Sequence, residues 1–268
     1  MAYCGSSLAD NIRKELGRLG GRNLDYIILT HSHYDHLGGL PYVRKAFPGA
    51  VIIGGEYCAH VLKREGALKV IRELGRSAAL KYGADPEVVT TEGLEVQKVV
   101  KDGDVIDLGD RKLNAIYTPG HTKCSMAFMS EPDHVMFASE TLGVLLPKSN
   151  EYQPLILKSY RDTVATIARC RAMAPRYLIM PHFGIIPEEK MEEFWNMAEE
   201  MSREEFEFVK GMCAEGRSIQ DMIDQYAERY FVAGRAAEQA EDAFFANAVP
   251  TIKMYARELG YTPEESKE

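Results

Sequence analysis

Apolar residues recur three and four positions apart near the start of the chain, at Leu8, Ile12, Leu16 and Leu19, which is the spacing of one helix face. Ser6 or Ser7 reads as its cap and Gly20-Gly21 as its stop. Residues 25–30 then form a compact apolar run, a strand. A short helix over 37–47 and a strand over 51–53 follow. Residues 56–83 read as mostly helical, with Gly66 and Gly75 weakening the pattern. Strands are expected at 96–100, 105–108 and 113–118, the last two joined by a Gly109-Asp110 hairpin turn. Two more lie at 124–129 and 135–138, across a turn containing Pro132 and Asp133. A helix over 160–173 and a strand over 177–180 complete an alternation that predicts a layered α/β core.

Beyond Pro187 the pattern changes. Acidic helical segments run over 188–201, 204–213, 219–230 and 235–259 with almost no strand signal. Their charge blocks are most simply solvated helix faces. The chain therefore divides into an α/β region, 1–186, and a helical C-terminal region, 187–268.

Four residues of metal-ligand type, His31, His33, Asp35 and His36, fall within six positions directly after the first predicted strand, in the run ThrHisSerHisTyrAspHisLeuGlyGly. The chain has seven histidines, and three of them sit here, which a polar loop of ordinary composition does not explain. Imidazole and carboxylate are donors that borderline and hard divalent metals accept, and the cluster has no thiolate. In a strand, His31 and His33 would point to one side. Asp35 and His36 are adjacent and cannot both follow, so the run predicts two ions a few ångströms apart.

The same placement recurs. His121 follows strand 113–118 in ThrProGlyHisThr, Glu140 follows 135–138 in PheAlaSerGluThrLeuGly, and His182 follows 177–180 in MetProHisPheGly. Strand C-termini are where layered α/β proteins gather their sites. His60 and His134 lack this context and read as surface residues.

Other features bound the function. The net charge of −8 and the lack of a basic stripe argue against a nucleic-acid surface. Cys4, Cys58, Cys124, Cys170 and Cys213 are scattered and odd in number, as in a reduced compartment rather than a disulfide scaffold. With no apolar stretch of membrane-span length and no signal core, the sequence predicts a soluble, cytoplasmic chain without membrane contact.

The run from His31 to His36, followed by His121, an acid at 140 and His182, resembles the metallo-β-lactamase superfamily from about residue 25 to 185. The resemblance implies a four-layer αββα sandwich, here carrying the helical C-terminal segment. It further implies a binuclear centre in which His31, His33 and His121 hold one metal, Asp35, His36 and His182 the other, and residue 140 bridges them. Two departures stand out. The bridging position is normally aspartate, and Glu140 reaches one methylene further; either Glu140 ligates, or Ser139 or Thr141 is the equivalent position. Few residues precede the first motif, so the N-terminus is expected to be shortened, with an open sheet edge that favours a homodimer.

The cofactors implied are two divalent metal ions, zinc first, with iron or manganese as alternatives. The chemistry implied is hydrolysis of a small ester, thioester or phosphoester by water acidified between the ions, with Asp35 orienting the nucleophile. Thr30, Thr118 and Thr122 are placed to support ligands, and Lys148, Tyr152 and Lys158 lie in the loop after Glu140, read as surface residues. A diiron oxidoreductase, suggested by Glu140, and a non-catalytic ligand-binding regulator are the competing readings. The expected partner is a small-molecule substrate, not nucleic acid.

Overall fold

The computed structural model describes residues 5–146, 151–182, 184–232 and 241–262, which fall into two compact units, Met1–Asp104 and Val105–Glu268. In the first, α1 (Gly5–Arg18) is followed by β1 (Tyr26–Ile28), α2 (Tyr34–Leu37), α3 (Leu40–Ala46) and β2 (Val51–Gly55). Then come α4 (Glu56–Val61), α5 (Glu65–Lys81) and β3 (Lys98–Val100). The strands form a parallel sheet in the order β1-β2-β3, with Ile27 opposite Ile52 and Gly54 opposite Val99. Parallel strands need crossovers, and the helices supply them.

The expectations hold here with local corrections. Ser6 and Ser7 lie inside α1 rather than capping it. Gly20 and Gly21 do end it, both at positive φ, with the Gly21 amide bonded to the Leu16 carbonyl, a Schellman-type stop. The helix over 56–83 is two helices, and the break falls at residues 62–64 rather than at a glycine. Gly75 is instead a packing position: a Cβ there would lie 2.9 Å from a Val89 methyl.

The second unit is built on a six-stranded sheet. Its strands are β4 (Val105–Asp107), β5 (Lys112–Tyr117), β6 (Met126–Glu131), β7 (Val135–Phe137), β10 (Tyr177–Ile179) and β11 (Ile185–Ile186), in the order β11-β10-β7-β6-β5-β4. The Gly109-Asp110 turn joins β4 to β5 as expected, with Gly109 at φ 93° and the Leu108 amide bonded to the Arg111 carbonyl. Two strands not expected from the sequence, β8 (Val144–Leu146) and β9 (Glu151–Gln153), pair as a separate ribbon. Tyr152 consequently is buried, not a surface residue, and burial pushes its phenol above its usual range. Lys158 is exposed as expected, and Lys148 lies outside the described residues.

Helix α6 (Tyr160–Ala172) starts at Ser159, whose hydroxyl accepts the Asp162 amide, a side-chain cap. The helices expected over 188–201 and 204–213 are one helix, α7 (Met191–Ala214), after a 3-10 turn at Glu188–Lys190. Nothing in Met201-Ser202-Arg203 breaks it, and Ser202 is buried. Helices α8 (Ile219–Tyr230) and α9 (Glu241–Glu258) follow; the start of the helix expected over 235–259 lies outside the described residues.

Two apolar clusters organise this unit. One joins sheet residues Ile116, Met129, Met136 and Leu178 to Ile167 and Cys170 of α6 and Phe194 and Trp195 of α7. The other gathers Val209, Met212, Met222, Tyr226, Phe244, Ile252 and Tyr255 around Ile156. Within it Glu205, 1% exposed, accepts hydrogen bonds from the hydroxyls of Tyr226 (2.8 Å) and Tyr255 (3.0 Å). A buried carboxylate is tolerated only when so partnered. Burial, and next the charge of Glu205, raises the Tyr255 phenol well above its ordinary range, so it remains a donor.

Gly120 occupies the tightest of these positions, at φ 136°, where a Cβ would stand 2.2 Å from the Thr163 hydroxyl and 2.9 Å from the Thr163 backbone. Gly109 also has a positive φ, 93°, but open space around it. Gly120→Ala is therefore expected to destabilise the chain by about 3 kcal/mol and Gly109→Ala by about 1 kcal/mol. Denaturant unfolding of the two variants checks the order; equal losses would remove Thr163 from the explanation.

Candidate metal centre

In the second unit, strand register sets the geometry. Phe137 of β7 stands opposite Ile179 of β10 in a parallel pair, so Glu140 and His182, each three residues further on, leave the sheet side by side. Strand β5 is antiparallel to β6, and β6 to β7, so β5 runs in the direction of β7 and delivers His121 at the same edge. Gly120 turns the chain there, and its carbonyl accepts the Lys158 and Ser159 amides (2.9 and 3.2 Å).

Glu140 is 4% exposed, in a 3-10 turn, Glu140–Leu142; it is not a surface acid. Its two oxygens are shared between two imidazoles, Oε2 lying 2.9 Å from His121 Nε2 and Oε1 2.8 Å from His182 Nε2. The far nitrogen of His121, Nδ1, is 2.9 Å from the Leu155 carbonyl. A carbonyl only accepts, so Nδ1 carries the proton, and in the neutral ring Nε2 presents a lone pair to a carboxylate. Two acceptors at this distance need a proton or cation between them. Two ligands each about 2.1 Å from one ion would themselves lie roughly 3 Å apart. The donor set therefore fits a divalent metal, and the carboxylate has one oxygen for each of two.

In the first unit, Leu29 bonds to the Ile53 carbonyl and ends the sheet edge, and the histidine run follows. It is not an irregular loop throughout. His33 is the N-cap of α2, with extended φ and ψ, and Asp35 and His36 lie in that helical turn. The strand ends at Ile28, so the period of two does not place His31 and His33. They are neighbours because the chain curls into α2. The His31 ring centroid is 4.7 Å from that of His33 and 4.1 Å from that of His36. Asp35 Oδ2 is 3.5 Å from His36 Nε2. His31 is fully buried, and its Nδ1 meets the Thr30 hydroxyl at 3.2 Å, which leaves Nε2 as the nitrogen that could ligate a metal.

Of the three threonines expected to support ligands, Thr30 contacts a candidate ligand, His31. Thr118 acts indirectly: its carbonyl accepts the Thr141 hydroxyl, which in turn accepts the His121 amide at 3.3 Å. Thr122 bonds Ser125 instead. The strongest support, the Leu155 carbonyl, has no side-chain signature and was invisible in the sequence. His60 and His134 are exposed as expected. Burial pushes the Cys170 thiol up to about 12, which removes it as a nucleophile.

The family model described as the metallo-beta-lactamase superfamily matches residues 4–182. The chain is 26% identical over 194 residues to a metallo-beta-lactamase fold-containing protein of Sulfurisphaera tokodaii, covering 69% of each chain. It is 22% identical over 235 residues to an atrochrysone carboxyl ACP thioesterase of Aspergillus fumigatus, covering 85% of this chain and 62% of that one, under two thirds of the relative's length. A metallo-beta-lactamase family protein of Thermus thermophilus superposes over 93% of this chain and 80% of its own, with a TM-score of 0.62 at 18% identity.

Glu140→Gln keeps the side chain's size but replaces one acceptor oxygen with a donor nitrogen. The variant is expected to lose at least one metal ion per chain with an unchanged circular-dichroism spectrum. Elemental analysis checks this, and full metal content would remove Glu140 from the ligand set.

Proposed function

The chain belongs to the metallo-β-lactamase superfamily, with its mixed sheets, flanking helices and a helical C-terminal segment, and from that premise we propose that it is a binuclear metal-dependent hydrolase of a small thioester. By resemblance to the family, one ion would be held by His31, His33 and His121, the other by Asp35, His36 and His182, with Glu140 bridging. The observation that carries this reading is the buried Glu140 carboxylate divided between two imidazoles, one of them locked by the Leu155 carbonyl. The thioesterase among the relatives supports the substrate class. The expected setting is the cytoplasm; no described helix is long and apolar enough to cross a membrane.

When bound, two divalent ions acidify a water and polarise the carbonyl it attacks. The protein's own residues do the rest. Asp35, in the first turn of α2 and only part-exposed, orients the attacking water and accepts its hydrogen bond. The Leu155 carbonyl and Thr30 hydroxyl hold the rings of His121 and His31, so neither of these rings has to rotate as charge develops. Attack on the thioester carbon forms the C–O bond, the C–S bond breaks, and the thiol leaves with a proton from solvent. Phosphoesters and simple esters are the neighbouring substrates to compare.

The test is elemental analysis of untreated protein followed by a thiol-release assay with acyl thioesters. About two zinc ions per chain and thioester turnover are expected. His33→Ala and His121→Ala should each lose metal and lower turnover at least about a hundredfold. Two irons with oxygen consumption and no hydrolysis would overturn the proposal in favour of the redox reading that Glu140 suggested.

A further inference from the structure

Residues 155–158 are held from two sides. Toward the candidate centre, the Leu155 carbonyl accepts His121 Nδ1–H at 2.9 Å, and the Lys158 amide donates to the Gly120 carbonyl at 2.9 Å. Toward the C-terminal helices, the very next carbonyl, Ile156, accepts the Thr251 hydroxyl at 3.1 Å, and the Lys158 carbonyl accepts Arg257 Nη2 at 2.9 Å. Both partners lie on α9. Carbonyls 155 and 156 thus serve opposite neighbours, one a histidine of the centre and the other a helix nearly a hundred residues later.

The side chains reinforce the tie. Ile156 is fully buried and belongs to the C-terminal cluster with Tyr226, Phe244, Ile252 and Tyr255. Leu155 and Leu157 are 8% and 7% exposed, and Thr251 is 3% exposed. Pro154 fixes φ at the head of the segment and contributes no amide of its own. The strap has little freedom to shift its 155 carbonyl unless α9 moves with it.

We propose that the C-terminal helical segment acts on the metal centre through this strap, α9 setting the position of the Leu155 carbonyl and hence the tautomer and orientation of His121. Thr251 and Arg257 are positioning residues: neither touches a ligand, and each holds the backbone that does. The inference rests on His121 being a ligand. Its physical content is that imidazole affinity depends on the partner of the far nitrogen, and that partner is a backbone group whose place is set elsewhere. A thioester hydrolase of this design carries a helical segment that tunes metal retention at one of its two ions.

The test uses the full chain and three variants. Thr251→Val removes the hydroxyl at nearly constant shape, and Arg257→Met removes the bond to the Lys158 carbonyl while keeping the side chain's length. Ile223→Val, in the same cluster but bonded to nothing on the strap, is the control for general loosening. In metal-free protein, Thr251→Val and Arg257→Met are expected to speed hydrogen exchange at the Lys158 and Ser159 amides and at His121 Nδ1–H by about tenfold. In zinc titrations they should weaken one of two sites about tenfold and leave the other unchanged. Ile223→Val should lower the melting temperature and move neither readout. Wild-type exchange and zinc binding in Thr251→Val and Arg257→Met would overturn the proposal, as would Ile223→Val reproducing their effect. Failure of wild-type protein to take up zinc, iron or manganese would refute His121 as a ligand, whereas the exchange rates alone decide whether α9 holds the strap.

Discussion

A carboxylate buried to 4% exposure constrains everything around it. Removing Glu140 from water is costly unless both oxygens are engaged; each faces an imidazole Nε2, that of His121 at 2.9 Å and that of His182 at 2.8 Å, across a gap that a proton or cation would fill. That requirement fixes the sheet. β7 and β10 must be adjacent, parallel and in register for residues 140 and 182 to meet, and β5 must share their direction to bring His121 beside them. The helical cover follows in turn, because β6, buried along nearly its whole length, needs apolar neighbours that α6 and α7 help provide.

The ordering of charge within the second unit is consistent. Among the described residues its two deeply buried acids, Glu140 and Glu205, are handled differently. Glu140 meets imidazoles, which exchange protons and bind metals near neutral pH. Glu205 accepts from two phenol hydroxyls, and burial holds that of Tyr255 well above its ordinary range. The first arrangement suits a reactive centre; the second fixes the packing of α7, α8 and α9 without chemistry of its own. Glu205 belongs to the helical cluster that encloses Ile156, so the inert acid helps secure the strap beside the reactive one.

Much of this was legible in residue order, for identifiable reasons. The alternation of apolar runs placed most strands to within a few residues, and seven candidate ligands stood out because they recur at strand ends. What stayed hidden had no side-chain signature. The Leu155 carbonyl is backbone. The continuity of α7 through Ser202 depends on burial that a polar residue does not advertise. The helical turn holding Asp35 and His36 begins at His33, a residue seldom used as a cap, and its carbonyl accepts both the His36 and Leu37 amides. The β8–β9 ribbon was missed because Tyr152 and Gln153, polar-tipped residues flanking a loop, are buried there.

The absence of room at Gly120 changes how the run ThrProGlyHisThr is to be understood. Its glycine is dictated by a φ of 136° and by the crowding of Thr141 and of Thr163 of α6, forty-three positions downstream. A signature that marks a histidine as chemically special is thus partly the footprint of a helix passing overhead. Evolution could exchange the chemistry at His121 and still be unable to alter the letter before it, so such a run would outlast the activity it advertises.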